Sequence, residues 1–150
     1  MRLKNFEDVV NFGIKREEGA IKSYTDMMGM AENRAVKELL QELRKEERNH
    51  KKLLQELTEG KVKSYQPRRV LNLKISDYTE EEKLSVDMDF QDLLIVAARK
   101  EQQAVDLYSC LARESQSDEL KKLFQFLIEQ EKSHKLKLEV EYEKYVLQED

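Results

Sequence analysis

The sequence predicts an all-α protein, a bundle of four helices built as two helical hairpins joined by a long crossover. Three observations carry this expectation. Charged residues make up 39% of the chain while Gly numbers 4, Pro 1 and Trp 0, which suits long solvated helices better than a turn-rich sheet protein. Apolar residues recur at spacings of three and four, the period of a helix with one buried face. The second half of the chain also repeats the first at an offset of 84 residues, with no gap in either half. Phe6, Asp8, Glu17, Ala20 and Tyr24 align with Phe90, Asp92, Glu101, Ala104 and Tyr108; Lys37, Leu39, Gln41, Leu43, Glu47, His50 and Lys51 align with Lys121, Leu123, Gln125, Leu127, Glu131, His134 and Lys135.

The first helix is expected near 5–29, with Asn5 as N-cap, Asp8 three residues on, and Gly29 as the stop. A second is expected near 33–59, closed by Gly60. Residues 61–88 hold the only proline, Pro67, and a capping-box pair at Thr79 and Glu82. That stretch is too long for a tight antiparallel loop, and its length suits a crossover that relates the halves by a pseudo-twofold axis. Asp89, again with an Asp three residues on, opens a third helix near 89–115, and the fourth is expected near 117–147.

With 150 residues, 39% of them hydrophobic, the chain has the size and apolar content of one domain spanning 1–150. The net charge of −4 arises from interleaved Glu and Lys rather than a basic patch, so nucleic acid is not an expected partner. The longest apolar run, Leu93 to Ala98, falls far short of the ~20 residues that span a bilayer. No membrane is expected either, and an N-terminus without an apolar signal core points to the cytoplasm. The single Cys110 excludes an internal disulfide and any multi-cysteine metal site; a small helical hydrophobe is the expected role.

Each inward stripe is interrupted by acid. Helix one presents Val10, Ile14, Glu17, Ile21, Tyr24 and Met28; helix two presents Val36, Leu40, Leu43, Glu47, His50, Leu54 and Leu57. Helix three presents Leu94, Ala97, Glu101, Val105, Tyr108 and Leu111, and helix four Leu120, Leu123, Leu127, Glu131, His134, Leu138 and Tyr142. A buried uncompensated carboxylate costs several kcal/mol, and a total stability of roughly 5–15 kcal/mol cannot absorb four such costs. No Lys or Arg falls in the stripes near these positions, so the expected counter-charge is metal cations from outside the chain. All six polar residues lie near the middle of their helices and converge at one level however each helix runs.

In Glu-x-x-His the two side chains share a helix face and reach one ion together, while the lone glutamates add oxygens able to bridge two. Glu17, Glu47, His50, Glu101, Glu131 and His134 are therefore the expected metal ligands. With neutral imidazoles their charge of −4 is cancelled by two divalent ions. Glu18, Glu46 and Glu129 turn toward the flank or solvent and are expected to be surface charge. Tyr24 and Tyr108, seven residues beyond the lone glutamates on the same face, are placed to donate hydrogen bonds to ligand carboxylates; core packing explains them as well.

The paired elements Glu17-x-x-Ala20-x-x-x-Tyr24 with Glu47-x-x-His50, and Glu101-x-x-Ala104-x-x-x-Tyr108 with Glu131-x-x-His134, resemble the rubrerythrin-like branch of the ferritin-like superfamily. The resemblance implies a ferritin-like bundle holding two iron ions. Either Glu47 and Glu131 or Glu17 and Glu101 bridge them, with His50 on one ion and His134 on the other. It also implies two-electron chemistry with a small oxidant, hydrogen peroxide or dioxygen, or oxidation of Fe(II). Two departures narrow this. Family members commonly carry a third acid on helix three where this chain has Ala104, and often a four-cysteine rubredoxin domain where this chain has one cysteine. A mechanism needing the extra carboxylate is not carried over, and electrons would come from a separate donor.

The leading expectation is a di-iron oxidoreductase of peroxidase or ferroxidase type. A metal-binding or sensing module without turnover is the alternative, and because Mn and Zn accept the same ligands the residues do not choose the ion. A structural adaptor with a vestigial site is a third reading. A homodimer is expected on general grounds.

Overall fold

The computed structural model describes residues 6–60, 84, 88–115 and 118–148. They form four helices, α1 (Phe6–Met30), α2 (Arg34–Gly60), α3 (Phe90–Glu114) and α4 (Asp118–Gln148), with no strand among the described residues. None of the helices is long and apolar enough to cross a membrane.

Local chemistry explains the helix ends. Asn33 caps α2, its Oδ1 accepting from the Val36 amide at 3.1 Å. Asp89 opens α3 with a reciprocal capping box: the Asp92 amide donates to Asp89 Oδ1 at 2.9 Å and the Asp89 amide to Asp92 Oδ2 at 3.3 Å. Ser115 closes α3, its hydroxyl donating to the Leu111 carbonyl at 2.7 Å. Gly29 departs from expectation. It stays inside α1, no described glycine takes a positive φ, and the Ala31 amide still bonds the Met27 carbonyl at 2.9 Å. The helix therefore ends without the left-handed residue that makes glycine a stop signal. The expected cap Asn5, Pro67 and the Thr79–Glu82 pair lie outside the described residues.

Cross-helix contacts fix the topology. Between α1 and α3, Glu17 meets Tyr108 and Tyr24 meets Glu101, so the two run antiparallel. Between α2 and α4, Glu42 meets Lys137 and His50 meets Glu131, again antiparallel. The neighbours within each hairpin are α1 with α2 and α3 with α4.

The core divides into two apolar clusters, one on each side of the buried acids. Val10, Phe12, Leu54, Val105, Leu111, Phe124 and Leu127 belong to one cluster, together with Cys110, which is buried as a small hydrophobe. Met27, Val36, Leu40, Leu43, Leu94, Ala97 and Leu138 belong to the other. Every helix passes from one cluster to the other, and the change falls at Glu17, at Glu47/His50, at Glu101 and at Glu131/His134. Gly13 lets α1 approach closely beside this level: a Cβ there would stand 3.2 Å from Leu54 Cδ1 and 3.6 Å from the Tyr108 ring.

Candidate metal centre

All six expected ligands are brought together between the two apolar clusters. Glu17, Glu47, Glu101 and Glu131 are fully buried, and His50 and His134 nearly so. Their donor atoms fall into two groups, Glu17/Glu47/His50/Glu131 and Glu47/Glu101/Glu131/His134, each with all atoms within 4.8 Å of one another. Glu47 and Glu131 belong to both. His50 Nδ1 lies 2.8 Å from Glu131 Oε1 and 3.1 Å from Glu47 Oε1; His134 Nδ1 lies 3.3 Å from Glu47 Oε1 and 3.5 Å from Glu101 Oε2. The two imidazoles stack with centroids 5.7 Å apart and planes 11° from parallel. The internal repeat is thus visible as a near-symmetric pair of half-sites.

The tyrosines bind across the repeat. The Tyr24 hydroxyl donates to Glu101 Oε1 and the Tyr108 hydroxyl to Glu17 Oε1, so each half supplies the phenol that orients the other half's lone glutamate. Burial pushes both phenols well above their usual pKa, and the neighbouring carboxylates add to the shift, so both remain donors.

Two expectations are corrected here. No cation was expected near the four acids, yet Arg16 is buried with its guanidinium among them. Its Nη1 contacts Glu47 Oε2 and lies 2.9 Å from Glu131 Oε2 and 3.1 Å from Glu17 Oε1; its Nη2 stands 3.7 Å from Glu101 Oε2 and donates to the Lys100 carbonyl at 3.4 Å. Arg16 sits one residue before Glu17, about 100° around the helix, so a stripe drawn at spacings of three and four passes it by. A side chain of that length curls back into the core. The signal that could have exposed it is the repeat itself, which places a second base, Lys100, immediately before Glu101.

Glu46 was expected to be surface charge, but its carboxylate contacts the outer nitrogen of His134, Nε2. A carboxylate on the far nitrogen fixes the ring and its tautomer, as metal-bound histidines commonly require. Glu18 and Glu129 are exposed as expected, near Lys51 and Lys132 respectively.

Burial and mutual repulsion set the charge state of the metal-free centre. Desolvation, with Glu47 adding to it, holds the Glu17 carboxyl well above the usual range; desolvation also raises Glu131, helped by Glu101 and Glu47. Glu47 goes the other way: burial opposes its charge, but Arg16 and the two histidines pull it well below the usual range. Burial also opposes a charged His134, yet the Glu101 and Glu47 carboxylates facing its Nδ1 raise its pKa to about 10. Arg16, desolvated but facing Glu131, Glu47, Glu17 and Glu101, keeps its charge. Without metal, Arg16 and a readily protonated His134 supply positive charge beside the acids, and burial pushes Glu17 and Glu131 toward their neutral forms.

The donor set fits a metal pair. Glu17 Oε2, Glu47 Oε1, Glu101 Oε2, both Glu131 oxygens and Nδ1 of each histidine are buried without a hydrogen-bond partner. Seven orphaned donor atoms in one place would be costly in a finished polar network. A carboxylate and imidazole set of this kind is what Fe, Mn and Zn accept.

The Rubrerythrin family profile matches residues 8–142, reaching into all four helices and including every residue of the centre. The chain belongs to the rubrerythrin family. Among solved structures, a hypothetical protein from Pyrococcus furiosus is similar, with 24% identity and a TM-score of 0.66, covering 91% of this chain and 87% of that one. At that identity the likeness speaks for the fold. No curated protein matches the chain. This rubrerythrin-family bundle is thus all-α and ferritin-like, with buried carboxylate and histidine groups able to hold metal.

Proposed function

We propose that the protein holds two iron ions through Glu17, Glu47, His50, Glu101, Glu131 and His134, and that the loaded centre is a two-electron oxidoreductase. Its oxidant is hydrogen peroxide or dioxygen, and its electrons come from Fe(II) or a separate donor. The observation that carries the reading is the sharing of Glu47 and Glu131 between both donor groups, the arrangement two adjacent ions need from bridging carboxylates. Glu47 and Glu131 would then serve both ions, with Glu17 and His50 completing one set of ligands and Glu101 and His134 the other. Bound iron would supply the electron transfer. The chain fixes the ligands, matches their charge, and excludes bulk water with the apolar clusters on either side.

Ala104 favours a second reading, a metal module without turnover. It is fully buried at the place where relatives commonly carry a third acid, so the centre lacks one proton-accepting group. Metal analysis after anaerobic purification, followed by stopped-flow mixing with hydrogen peroxide, separates the two readings. Near two irons per chain and rapid oxidation are expected. Two metals that peroxide does not oxidise would leave only the module, and no metal would remove both readings.

The tyrosine cross-links give a graded expectation. Tyr24→Phe or Tyr108→Phe keeps the ring packing but removes the phenol donor from Glu101 or from Glu17, the latter keeping Arg16. Loss of an outer partner of a ligand typically weakens metal affinity about 10- to 100-fold. A competition titration against a chelator should show the weakening in one half-site per variant; unchanged affinity in both would reduce the phenols to packing.

A further inference from the structure

We propose that Arg16 is a permanent positioning residue of the loaded centre. It keeps its hold on one set of carboxylate oxygens while metal takes the other set, and the positive charge left over draws a small monoanion to the ions. This deepens the metal-binding reading above and rests on it.

The oxygens of the four glutamates are divided between two tasks. One oxygen of each faces a donor from the chain. Glu17 Oε1 accepts from the Tyr108 hydroxyl and from Arg16 Nη1, Glu47 Oε2 accepts from Arg16 Nη1, and Glu101 Oε1 accepts from the Tyr24 hydroxyl. Glu131 Oε2 stands 2.9 Å from the same Nη1, an ion-pair contact without hydrogen-bond alignment. The remaining oxygens, Glu17 Oε2, Glu47 Oε1, Glu101 Oε2 and Glu131 Oε1, have no hydrogen-bond partner, and neither has Nδ1 of either histidine. These atoms face one another. His50 Nδ1 lies 2.8, 3.1 and 3.9 Å from Glu131 Oε1, Glu47 Oε1 and Glu17 Oε2; His134 Nδ1 lies 3.3, 3.5 and 3.9 Å from Glu47 Oε1, Glu101 Oε2 and Glu131 Oε1.

Each donor group needs one atom per residue, and the histidine-facing atoms supply one from every ligand. Metal can therefore load without breaking a bond of Arg16, Tyr24 or Tyr108. The guanidinium is tied beyond the acids as well, Nη2 donating to the Lys100 carbonyl at 3.4 Å. Withdrawal would strip a buried cation of its contacts to Glu17, Glu47 and Glu131, a cost that retention avoids.

A retained arginine changes the charge balance. Two divalent ions cancel the four carboxylates, so the guanidinium's charge is left over between two apolar clusters. An unbalanced charge in such surroundings is costly, and a monoanion taken up at the ions removes it. Hydroxide and azide have the size and charge required, and hydroperoxide, the anion of the proposed oxidant, belongs to the same class. Arg16 acts here through its charge and through the carboxylates it orients.

Two measurements on the full-length chain test this. In the Zn(II)-loaded protein, nitrogen-15 NMR reads the Arg16 guanidinium protons, assigned by their absence from Arg16→Lys. They are expected to stay protected from exchange with water, as in the metal-free protein; rapid exchange on loading would mean that the guanidinium withdraws and would overturn the proposal. Sodium azide titrated into the Co(II)-loaded protein, followed by the visible absorption of the ions, reads the charge left over. Arg16→Gln, loaded to the same metal content, should bind azide at least about tenfold more weakly than wild type, equivalent to about 1.4 kcal/mol. Arg16→Lys keeps the charge but lacks the fork, and its azide affinity should stay nearer to wild type. Equal azide affinity in wild type and the Gln variant, or no azide bound by wild type, would overturn the proposal and leave the metal centre standing. If the Gln variant takes up no metal, the exchange measurement decides alone. Failure of wild type to bind either metal would remove the metal-binding reading, and the inference with it.

Discussion

Glu47→Ala is expected to empty both halves of the centre, whereas Glu17→Ala empties only one. Glu47 belongs to both donor groups, while Glu17 belongs to the group with His50 alone. Elemental analysis should therefore give close to no metal for Glu47→Ala and for Glu131→Ala, and close to one ion per chain for Glu17→Ala or Glu101→Ala. The opposite pattern, with both ions lost from Glu17→Ala and one kept by Glu47→Ala, would assign bridging to the lone glutamates. In the presence of metal, stability should fall with each ion lost. Each ion bound only by the folded chain adds about 4 kcal/mol at a thousandfold excess over its Kd, and that increment disappears with the ion. The metal-free midpoint of Glu47→Ala should fall as well, because Arg16 loses the carboxylate that its charge holds ionised and a buried charge left without its partner is costly.

The convergence of the six buried acids and histidines was legible because a buried acid breaks an apolar stripe, and a pattern broken four times at matching heights reports a shared centre. The α3 N-terminus was legible for a similar reason, since Asp89 and Asp92 encode a reciprocal bond between near neighbours. Arg16 and Glu46 were not, and the cause is geometric. Both lie beside a stripe residue, Glu17 or Glu47, rather than on the stripe, and both reach the centre through side-chain length, which periodicity does not measure. Gly29 failed differently: glycine permits a left-handed stop but does not impose one, and α1 continues through it to Met30. The tyrosines were readable as hydrogen-bond donors, but not as donors to the opposite half. That exchange depends on α1 and α3 running antiparallel side by side, a tertiary fact.

The metal-free protein should lose stability as pH rises from about 6.5 to 10, and the loaded protein should not. His134 has its folded pKa raised from its ordinary 6.5 to about 10. Its contribution is therefore fully present below 6.5 and is lost as pH climbs through 10. Glu17 and Glu131 act in the same direction, since their raised carboxyl pKa values mean that the folded chain holds protons the unfolded chain has released. Their contribution begins to fade once pH passes the ordinary carboxylate value of 4.5. Glu47 is the exception: its lowered pKa gives a contribution present above 4.5 and lost as pH falls below it. Together these place the metal-free optimum in mildly acidic solution, with a decline on the order of a few kcal/mol toward pH 10. Metal ligation requires the same carboxyls and imidazole deprotonated, so affinity should rise with pH and binding near neutrality should release protons. Urea midpoints measured from pH 5 to 10, with chelator and with excess metal, should diverge steadily; a metal-free midpoint that stays level from 6.5 to 10 would mean that the acids of the empty centre are compensated by Arg16 without the buried protons.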